Sequence, residues 1–239
     1  MPIATALLVS NDPATIQQVN SVLAELSISS DVCQEGPASI RLLNCRKFDV
    51  VIVDLELGEH SGIALDAVRL SPSNRTAVTF AIAACDTTST AVFSKKAGFV
   101  FARPLSRHSI LGILKPAYGL ILRERRRYFR CPVTLPVTIL RQMHPDIHCY
   151  SVNVSEGGMG VSCLSPLPIG ESVHVQFTLP DHKAPFFAES KVLWWKTGHL
   201  GIRFESVSEG LQSEMQDWLS QELEKTLPES VAGQFLKTE

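Results

Sequence analysis

The sequence has little excess of charge of either sign. Its 22 lysine and arginine residues nearly balance its 24 aspartate and glutamate residues, which leaves a formal net charge of -2 at pH 7. A protein that attracts nucleic acid through its overall electrostatic field carries a clear positive excess, so any anion site in this chain has to be local. We therefore expect no nucleic-acid partner.

Long apolar runs and paired cysteines are missing as well. No stretch approaches the roughly 20 apolar residues of a membrane-spanning helix, and the first residues lack the charged start and apolar core of a signal peptide. The six cysteines are scattered, without a CxxC motif and without histidines at a spacing suited to zinc. These absences predict a cytoplasmic protein with no membrane span, no metal site and no bound cofactor.

The first half of the chain alternates between two hydrophobic patterns. Apolar runs typical of buried strands are separated by segments whose apolar residues recur at helical spacing. The run 48–54 is nearly continuous in apolar residues, which predicts a strand covered on both faces. Further strands are predicted at 4–10, 31–33, 77–83 and 98–102. Helices are predicted from a cap and first-turn proline at 11–13 through 26, and at 40–43, 64–70 and 89–96. This alternation predicts a parallel sheet with functional side chains at the carboxyl ends of its strands.

Polar residues follow three of the predicted strands, namely Ser10 and Asn11, then Asp54, then Arg103. Over about residues 3–116 the arrangement resembles the receiver domain of two-component response regulators. In that family an aspartate at the position of Asp54 accepts a phosphoryl group, two acids after the first strand help to hold magnesium, and a lysine follows the fifth strand. Here Ser10 and Asn11 replace the acids and Arg103 replaces the lysine, so the resemblance is to a degenerate receiver.

The missing acids decide what Asp54 is expected to do. Magnesium demands several oxygen ligands and is not held well by one carboxylate. We therefore expect Asp54 to lack the metal ion that phosphoryl transfer requires. We expect Asp54 to be a vestigial phosphoacceptor that forms a permanent ion pair with Arg103. Asp12 and Glu56 leave a weak metal site open as the alternative. A receiver without phosphorylation keeps a use as a docking or dimerising surface, which implies a protein partner or a homodimer.

A helix-like stretch that ends in arginines joins the two halves. Residues 105–114 predict a helix, and Pro116 is expected to kink or break it, because proline removes a helical hydrogen bond. A helix can resume over 117–124. Five arginines then fall within eight residues: Arg123, Arg125, Arg126, Arg127 and Arg130. Such a run is either a solvated helix end, where cations suit the helix dipole, or a site whose guanidinium groups grip phosphate and guanine.

Beyond the arginines the apolar residues recur with a period of two. Strands are predicted at 133–141, 147–154, 158–164, 172–179, 186–196 and 199–204. Six short strands separated by turn residues are typical of an antiparallel barrel or sandwich. A closing helix with apolar residues between 211 and 223 is expected to cover the barrel. Strict alternation sends one of Trp194 and Trp195 into the barrel and the other outward.

One turn between these strands carries a polar motif. Asn153 and Ser155 stand two residues apart, and Gly158 follows them. By itself the motif predicts only a tight hairpin. Together with Arg126 and Arg130 upstream, it resembles the PilZ domain, a bacterial receptor for cyclic di-GMP, whose pattern is RxxxR followed by [D/N]xSxxG. Every position of that pattern is present in this sequence.

The PilZ resemblance covers roughly residues 123–225 and implies a ligand with two phosphates and two guanines. It implies that the two matched arginines hold phosphate and guanine, that the asparagine and serine reach a guanine edge, and that the glycine permits close approach. Of the neighbouring Arg125 and Arg127, one is expected to help bind the ligand and the other to meet solvent or the first domain. Ligand binding is expected to order the arginine segment and to reposition the neighbouring domain.

The sequence thus predicts two domains of different class, α/β followed by mainly β. We expect a degenerate receiver with a (βα)5 parallel sheet at 1–118, a six-stranded antiparallel PilZ barrel with a C-terminal helix at 119–228, and a flexible tail at 229–239. The predicted function is a bacterial cyclic di-GMP effector, and no group of side chains predicts an enzyme. The alternatives are a PilZ-like interaction adaptor without ligand binding and a response regulator controlled by phosphorylation.

Overall fold

The computed structural model describes residues 3–84 and 97–226. Its described residues fall into two compact units, of which the first runs up to Arg125 and the second covers Arg126–Lys225. This division falls later in the chain than the expected boundary after residue 118. The helix expected at 89–96 and the tail expected at 229–239 lie outside the described residues.

The first unit contains a five-stranded parallel sheet, as the alternating pattern predicts. Its strands are β1 (Ala4–Val9), β2 (Ile28–Cys33), β3 (Val50–Asp54), β4 (Val78–Ala83) and β5 (Phe99–Ala102). The helices that begin in this unit are α1 (Pro13–Glu25), α2 (Gly36–Cys45), α3 (Glu59–Leu70) and α4 (Arg107–Tyr128), of which α4 ends in the second unit. The strands follow the order β2-β1-β3-β4-β5, and every described pairing between them is parallel. A receiver-like topology is therefore present.

Apolar residues cover both faces of this sheet. Every residue of β3 is buried, which confirms the expectation for a strand with helices on both sides. One face carries Ile52 and the stacked rings of Phe80 and Phe101, whose centroids lie 5.0 Å apart. The other face carries Leu7 and Val53 among its core residues. These two layers fix the strand ends at which the polar side chains stand.

Helix α4 is continuous across Pro116, so of the expected kink or break at this proline the break is wrong. The helix begins after Ser106, whose hydroxyl oxygen accepts a hydrogen bond from the N–H of Ser109 at 3.1 Å. Leu114 and Tyr118, on either side of the proline, are both buried in the core of the first unit. Packing of these side chains outweighs the lost hydrogen bond, which costs a helix about 3 kcal/mol.

The second unit is a closed antiparallel barrel with one helix. Its strands are β6 (Pro136–Leu140), β7 (Ile147–Ser155), β8 (Gly158–Ser162), β9 (Ser172–Phe177), β10 (Phe186–Lys196) and β11 (His199–Ser206), in the order β10-β11-β8-β7-β6-β9. Helix α5 (Glu209–Lys225) inserts Met215, Trp218 and Leu219 into the barrel core. The expected six-stranded barrel with a C-terminal helix is confirmed. None of the helices in the described ranges combines the length and apolarity that crossing a bilayer requires.

Candidate functional site

A short backbone bridge holds the end of the arginine run beside the polar motif. The N–H of Cys131 donates to the carbonyl of Val154 at 2.8 Å, and the N–H of Val154 donates to the carbonyl of Cys131 at 2.9 Å. Both residues are buried in the barrel core. Because Arg130 and Asn153 directly precede them in the chain, this bridge brings the two halves of the predicted motif to the same part of the barrel.

Arg130 and Asn153 line a cavity of about 350 Å³ in the second unit. A cavity of this size accommodates part of a small-molecule ligand. Strands β7, β8, β10 and β11 supply the rest of its wall, including Leu193, Trp194 and His199. Arg130 is exposed and Asn153 half-buried, so a guanidinium and an amide meet at a concave surface that solvent reaches. The arrangement offers donors to an anionic or acceptor-rich ligand.

Two glycines make room for the side chains of this cavity. Gly160 of β8 and Gly201 of β11 are paired directly. A Cβ atom on Gly160 would lie 3.2 Å from Nδ2 of Asn153, and one on Gly201 would lie 2.1 Å from Nε1 of Trp194. The amide of Asn153 and the indole of Trp194 therefore lie over the glycine backbones. The N–H of Gly160 also donates to Oδ1 of Asn153 at 3.3 Å, which orients the amide.

The other two residues of the polar motif close the turn between β7 and β8. The hydroxyl of Ser155 donates to the carbonyl of Gly158 at 2.9 Å, and the serine is only 6% exposed. A Cβ atom on Gly158 would lie 2.1 Å from the carbonyl oxygen of Ile202. Gly158 thus permits β8 and β11 to approach closely, and Ser155 fixes the turn that presents Asn153.

The structure does not bring Arg126 to the cavity. This residue lies in the last turn of α4, where its Nη1 donates to the hydroxyl oxygen of Ser220 at 2.8 Å. Ser220 belongs to α5. The first arginine of the motif is therefore bonded to the C-terminal helix, whereas the second, Arg130, lines the cavity.

The two flanking arginines differ in their surroundings. Arg127 is exposed, whereas Arg125 is half-buried, with its Nη1 3.9 Å from Oδ2 of Asp49 in the first unit. Burial raises the pKa of Asp49, and the hydrogen bond from the N–H of Thr5 and the charge of Arg125 oppose that shift. Arg125 is thus paired with a buried carboxylate within its own unit.

A second group of polar side chains stands at the carboxyl ends of β1, β3 and β5. Asp54 is 1% exposed, and its Oδ2 lies 2.8 Å from Nη2 of Arg103. The expected ion pair between these residues is therefore present. The hydroxyl of Ser10 donates to the same carboxylate oxygen at 2.8 Å, which leaves Asp54 held by a serine and an arginine.

Arg103 lies among three carboxylates. Its Nε is 3.1 Å from Oε1 of Glu56, and its Nη1 is 3.6 Å from Oδ2 of Asp12. Burial lowers the pKa of the Arg103 guanidinium, but the hydrogen bond and charge of Asp54, with the charges of Glu56 and Asp12, raise it overall. A fixed cation is thus built into the carboxylate cluster. Within the described residues, no group of three or more histidine, cysteine or acidic side chains is placed to hold a metal ion.

Both tryptophans of β10 are exposed, so the expectation that one enters the barrel is wrong. Trp194 is 47% and Trp195 39% exposed. The pairing of β10 with β11 shifts register between Val192 and Trp194, and such a bulge interrupts the alternation of side chains. The bulge brings Trp194 into the cavity wall. Sequence reasoning missed this residue, together with the two paired glycines, although two tryptophans opposite a glycine in a predicted hairpin were a usable signal.

Comparisons with known proteins found a family match and similar solved structures. The sequence model of the PilZ domain matches residues 124–221. No curated protein shows a significant sequence match. Among solved structures, the Bacillus subtilis inhibitor of motility MotI/DgrA is 19% identical with a TM-score of 0.38, and the match covers 41% of this chain and 51% of that one. The chain thus spans about half the length of that protein.

Two further structures match one unit each. A receiver domain of a sensor histidine kinase from Pseudomonas aeruginosa, with a magnesium ion in its active-site cleft, is 19% identical with a TM-score of 0.44, covering 48% of this chain and 98% of that one. The PilZ domain of CeSA from a cellulose-synthesising bacterium is 17% identical with a TM-score of 0.33, covering 40% and 98%. With its barrel, its bridged motif and the family match, the segment 124–221 is a PilZ domain, and it follows a receiver-like parallel sheet.

Proposed function

We propose that the chain is a bacterial effector that binds cyclic di-GMP in the cavity of its PilZ domain and is not an enzyme. Cyclic di-GMP is a ring of two guanylates, so its receptor has to neutralise phosphates and read guanine edges. Arginine suits both tasks, because its planar guanidinium provides parallel donors for two acceptors and a face for stacking.

The observation that carries this proposal is that Arg130 and Asn153 line one cavity. Arg130 supplies paired donors for O6 and N7 of a guanine or for phosphate oxygens. Asn153 supplies an amide that both donates and accepts, which suits the Watson–Crick edge of guanine. The exposed indole of Trp194 on the same wall gives a purine ring an apolar face to lie against.

Arg126 joins this site after a local rearrangement. Its side chain has to leave Ser220 before it can bind a ligand held by Arg130. The segment lies at the end of α4, where the last carbonyl groups of a helix lack helical partners and unwinding is easiest. Ligand binding therefore reshapes the end of α4, and we propose that this change alters the presentation of the receiver-like unit to a protein partner or a second copy of the chain.

We propose that the receiver-like unit works without phosphorylation. Arg103 already supplies the positive charge among Asp12, Asp54 and Glu56 that magnesium supplies in a phosphorylated receiver. Asp54 is then a vestigial acceptor, and the unit is a docking or dimerising surface. A second candidate function, an adaptor that binds no ligand, is favoured by one observation, the engagement of Arg126 by Ser220.

Calorimetric titration of cyclic di-GMP into the full chain tests the proposal. We expect the wild type to bind and Arg130→Ala to lose about 2–5 kcal/mol of binding free energy, because a charge-assisted contact is removed from the cavity. The matched control is Arg123→Ala, which removes the same charge from an exposed position in the same run. We expect this control to bind nearly as the wild type does.

Two results would contradict the proposal. A wild type that releases no heat and shows no binding at high ligand concentration would favour the adaptor. Equal losses in Arg130→Ala and Arg123→Ala would mean that the arginine run attracts the anion through its charge alone, without a contact specific to Arg130.

A further inference from the structure

The C-terminal helix presents one hydroxyl to the arginine motif from a fixed position. Met215, Trp218 and Leu219 of α5 are buried in the barrel core, so the helix is held rigidly where Ser220 projects from it. Ser220 itself is half-buried. Its oxygen lies 2.8 Å from Nη1 of Arg126, although 94 positions separate the two residues in the chain.

The polarity of the bonds around Ser220 fits an arginine. The hydroxyl donates its proton to the carbonyl of Gln216 at 2.6 Å, one turn earlier in the same helix. Its lone pairs are thereby turned outward as acceptors, and a guanidinium has donors only. Ser220 and Arg126 are therefore matched as acceptor and donor, in a half-buried position where water competes less for the bond.

We propose that Ser220 sets the affinity of the PilZ domain for cyclic di-GMP by holding Arg126 away from the cavity. The inference rests on the proposed function and adds to it a residue that lies outside both motifs. Arg130 already lines the cavity, so the site is half assembled and the ligand has to break the bond between Arg126 and Ser220 to complete it. The apparent dissociation constant is then the intrinsic one divided by the fraction of molecules in which Arg126 is free to bind the ligand.

The direction of the expected change in affinity distinguishes this role of Ser220 from a merely structural one. Most substitutions near a binding site weaken binding, whereas removal of a competing acceptor strengthens it. In the Ser220→Ala variant Arg126 is free from the start, and we expect the chain to bind cyclic di-GMP about threefold to tenfold tighter, as the loss of one hydrogen bond implies. Ser220→Thr keeps the hydroxyl and the bond to Gln216, and is expected to bind as the wild type does.

The test is calorimetric titration of cyclic di-GMP into the full chain with four variants. Ser220→Ala and Ser220→Thr are compared with Ser213→Ala, which removes an exposed hydroxyl from the same helix and is expected to change nothing. The fourth is the double variant Arg126→Ala/Ser220→Ala, compared with Arg126→Ala alone at ligand concentrations raised to suit weaker binding. Without Arg126, the loss of Ser220 is expected to have no effect on affinity.

Three results overturn the inference. Ser220→Ala could bind no tighter than the wild type, or Ser213→Ala could tighten binding equally, or the gain from Ser220→Ala could persist when Arg126 is absent. Each of these outcomes leaves the proposed function intact as long as the wild type binds. If neither the wild type nor Ser220→Ala binds the ligand, the proposed function fails, and the inference fails with it.

Discussion

Two adjacent glycines of the PilZ domain differ in whether the surrounding atoms leave room for a Cβ atom. The Cβ atom of an alanine at Gly158 would lie 2.1 Å from the carbonyl oxygen of Ile202, which is backbone and cannot rotate away. At Gly157, one residue earlier, nothing lies within 4 Å of the same added atom. An added side chain is therefore tolerated at Gly157 but not at Gly158, although both residues stand in the same turn.

We therefore predict that Gly158→Ala destabilises the chain by about 1–3 kcal/mol, because β8 and β11 have to move apart. Gly157→Ala is expected to change the free energy of unfolding by less than about 0.5 kcal/mol. Urea denaturation of the two variants beside the wild type measures both values. Equal stabilities for the two variants would show that the close approach to Ile202 relaxes without cost.

At this scale the sequence identified the motif residues by type and spacing, but not what each one contacts. Asn153 and Ser155 point to one face of a strand in the simple alternating pattern, yet Ser155 closes the turn and Asn153 lines the cavity. The cavity also depends on the pairing of Gly160 with Gly201. This pairing follows from the register between two strands, which the sequence of neither strand shows by itself. The bond from Arg126 to Ser220 is likewise a contact between distant parts of the chain.

At the scale of elements, α4 is the one whose sequence and structure disagree most. Pro116 lies within the helix and is exposed, so its ring contributes little to packing. An alanine there would restore an N–H that can donate one turn back, to the carbonyl of Gly112. The buried side chains on either side already hold the helix in place.

We predict that Pro116→Ala raises the free energy of unfolding by about 1–3 kcal/mol, part of the helix-interior cost of proline. Pro13→Ala is the matched control, because Pro13 is exposed and begins α1, where no helical hydrogen bond is missing. Urea denaturation, with helix content followed by circular dichroism, gives the comparison. A Pro116→Ala variant that is less stable than the wild type would mean that the proline is required for the path of α4.

The elements themselves were largely predictable, because hydrophobic period separates helices from strands. The buried β3 and the six barrel strands follow directly from runs and alternation. The failures occurred where tertiary packing or pairing overrides a local rule. Burial of Leu114 and Tyr118 keeps α4 continuous through its proline, and a bulge in β10 turns both tryptophans outward.

At the scale of the whole molecule, the chain joins a receiver-like parallel sheet to a PilZ barrel. Because the net charge is near zero, the electrostatics of each polar cluster depend on local charges. Arg130 supplies such a charge at the cavity, and Arg103 supplies one beside Asp54. In the receiver-like unit Arg103 is bound to Asp54, which is also bonded by Ser10. A phosphoryl group on Asp54 would have to displace both partners without a metal ion to neutralise its charge.

We predict that acetyl phosphate with magnesium leaves the mass of the intact chain unchanged and does not alter its affinity for cyclic di-GMP. Intact-mass spectrometry and calorimetry before and after treatment measure the two quantities. Asp54→Asn, treated in parallel, shows whether any adduct resides on that residue. A stoichiometric adduct on the wild type that is lost in Asp54→Asn would make the chain a phosphorylated response regulator.

The most direct test of the central claim is amide hydrogen exchange of the full chain with and without cyclic di-GMP. If the ligand binds in the cavity beside Arg130 and Asn153, exchange slows in the segments 128–131, 150–161 and 193–202, because binding suppresses local opening there. The sheet formed by β1 to β5 is expected to exchange at the same rate in both states. Unchanged exchange in those three segments at saturating ligand, or protection confined to the parallel sheet, would contradict the account.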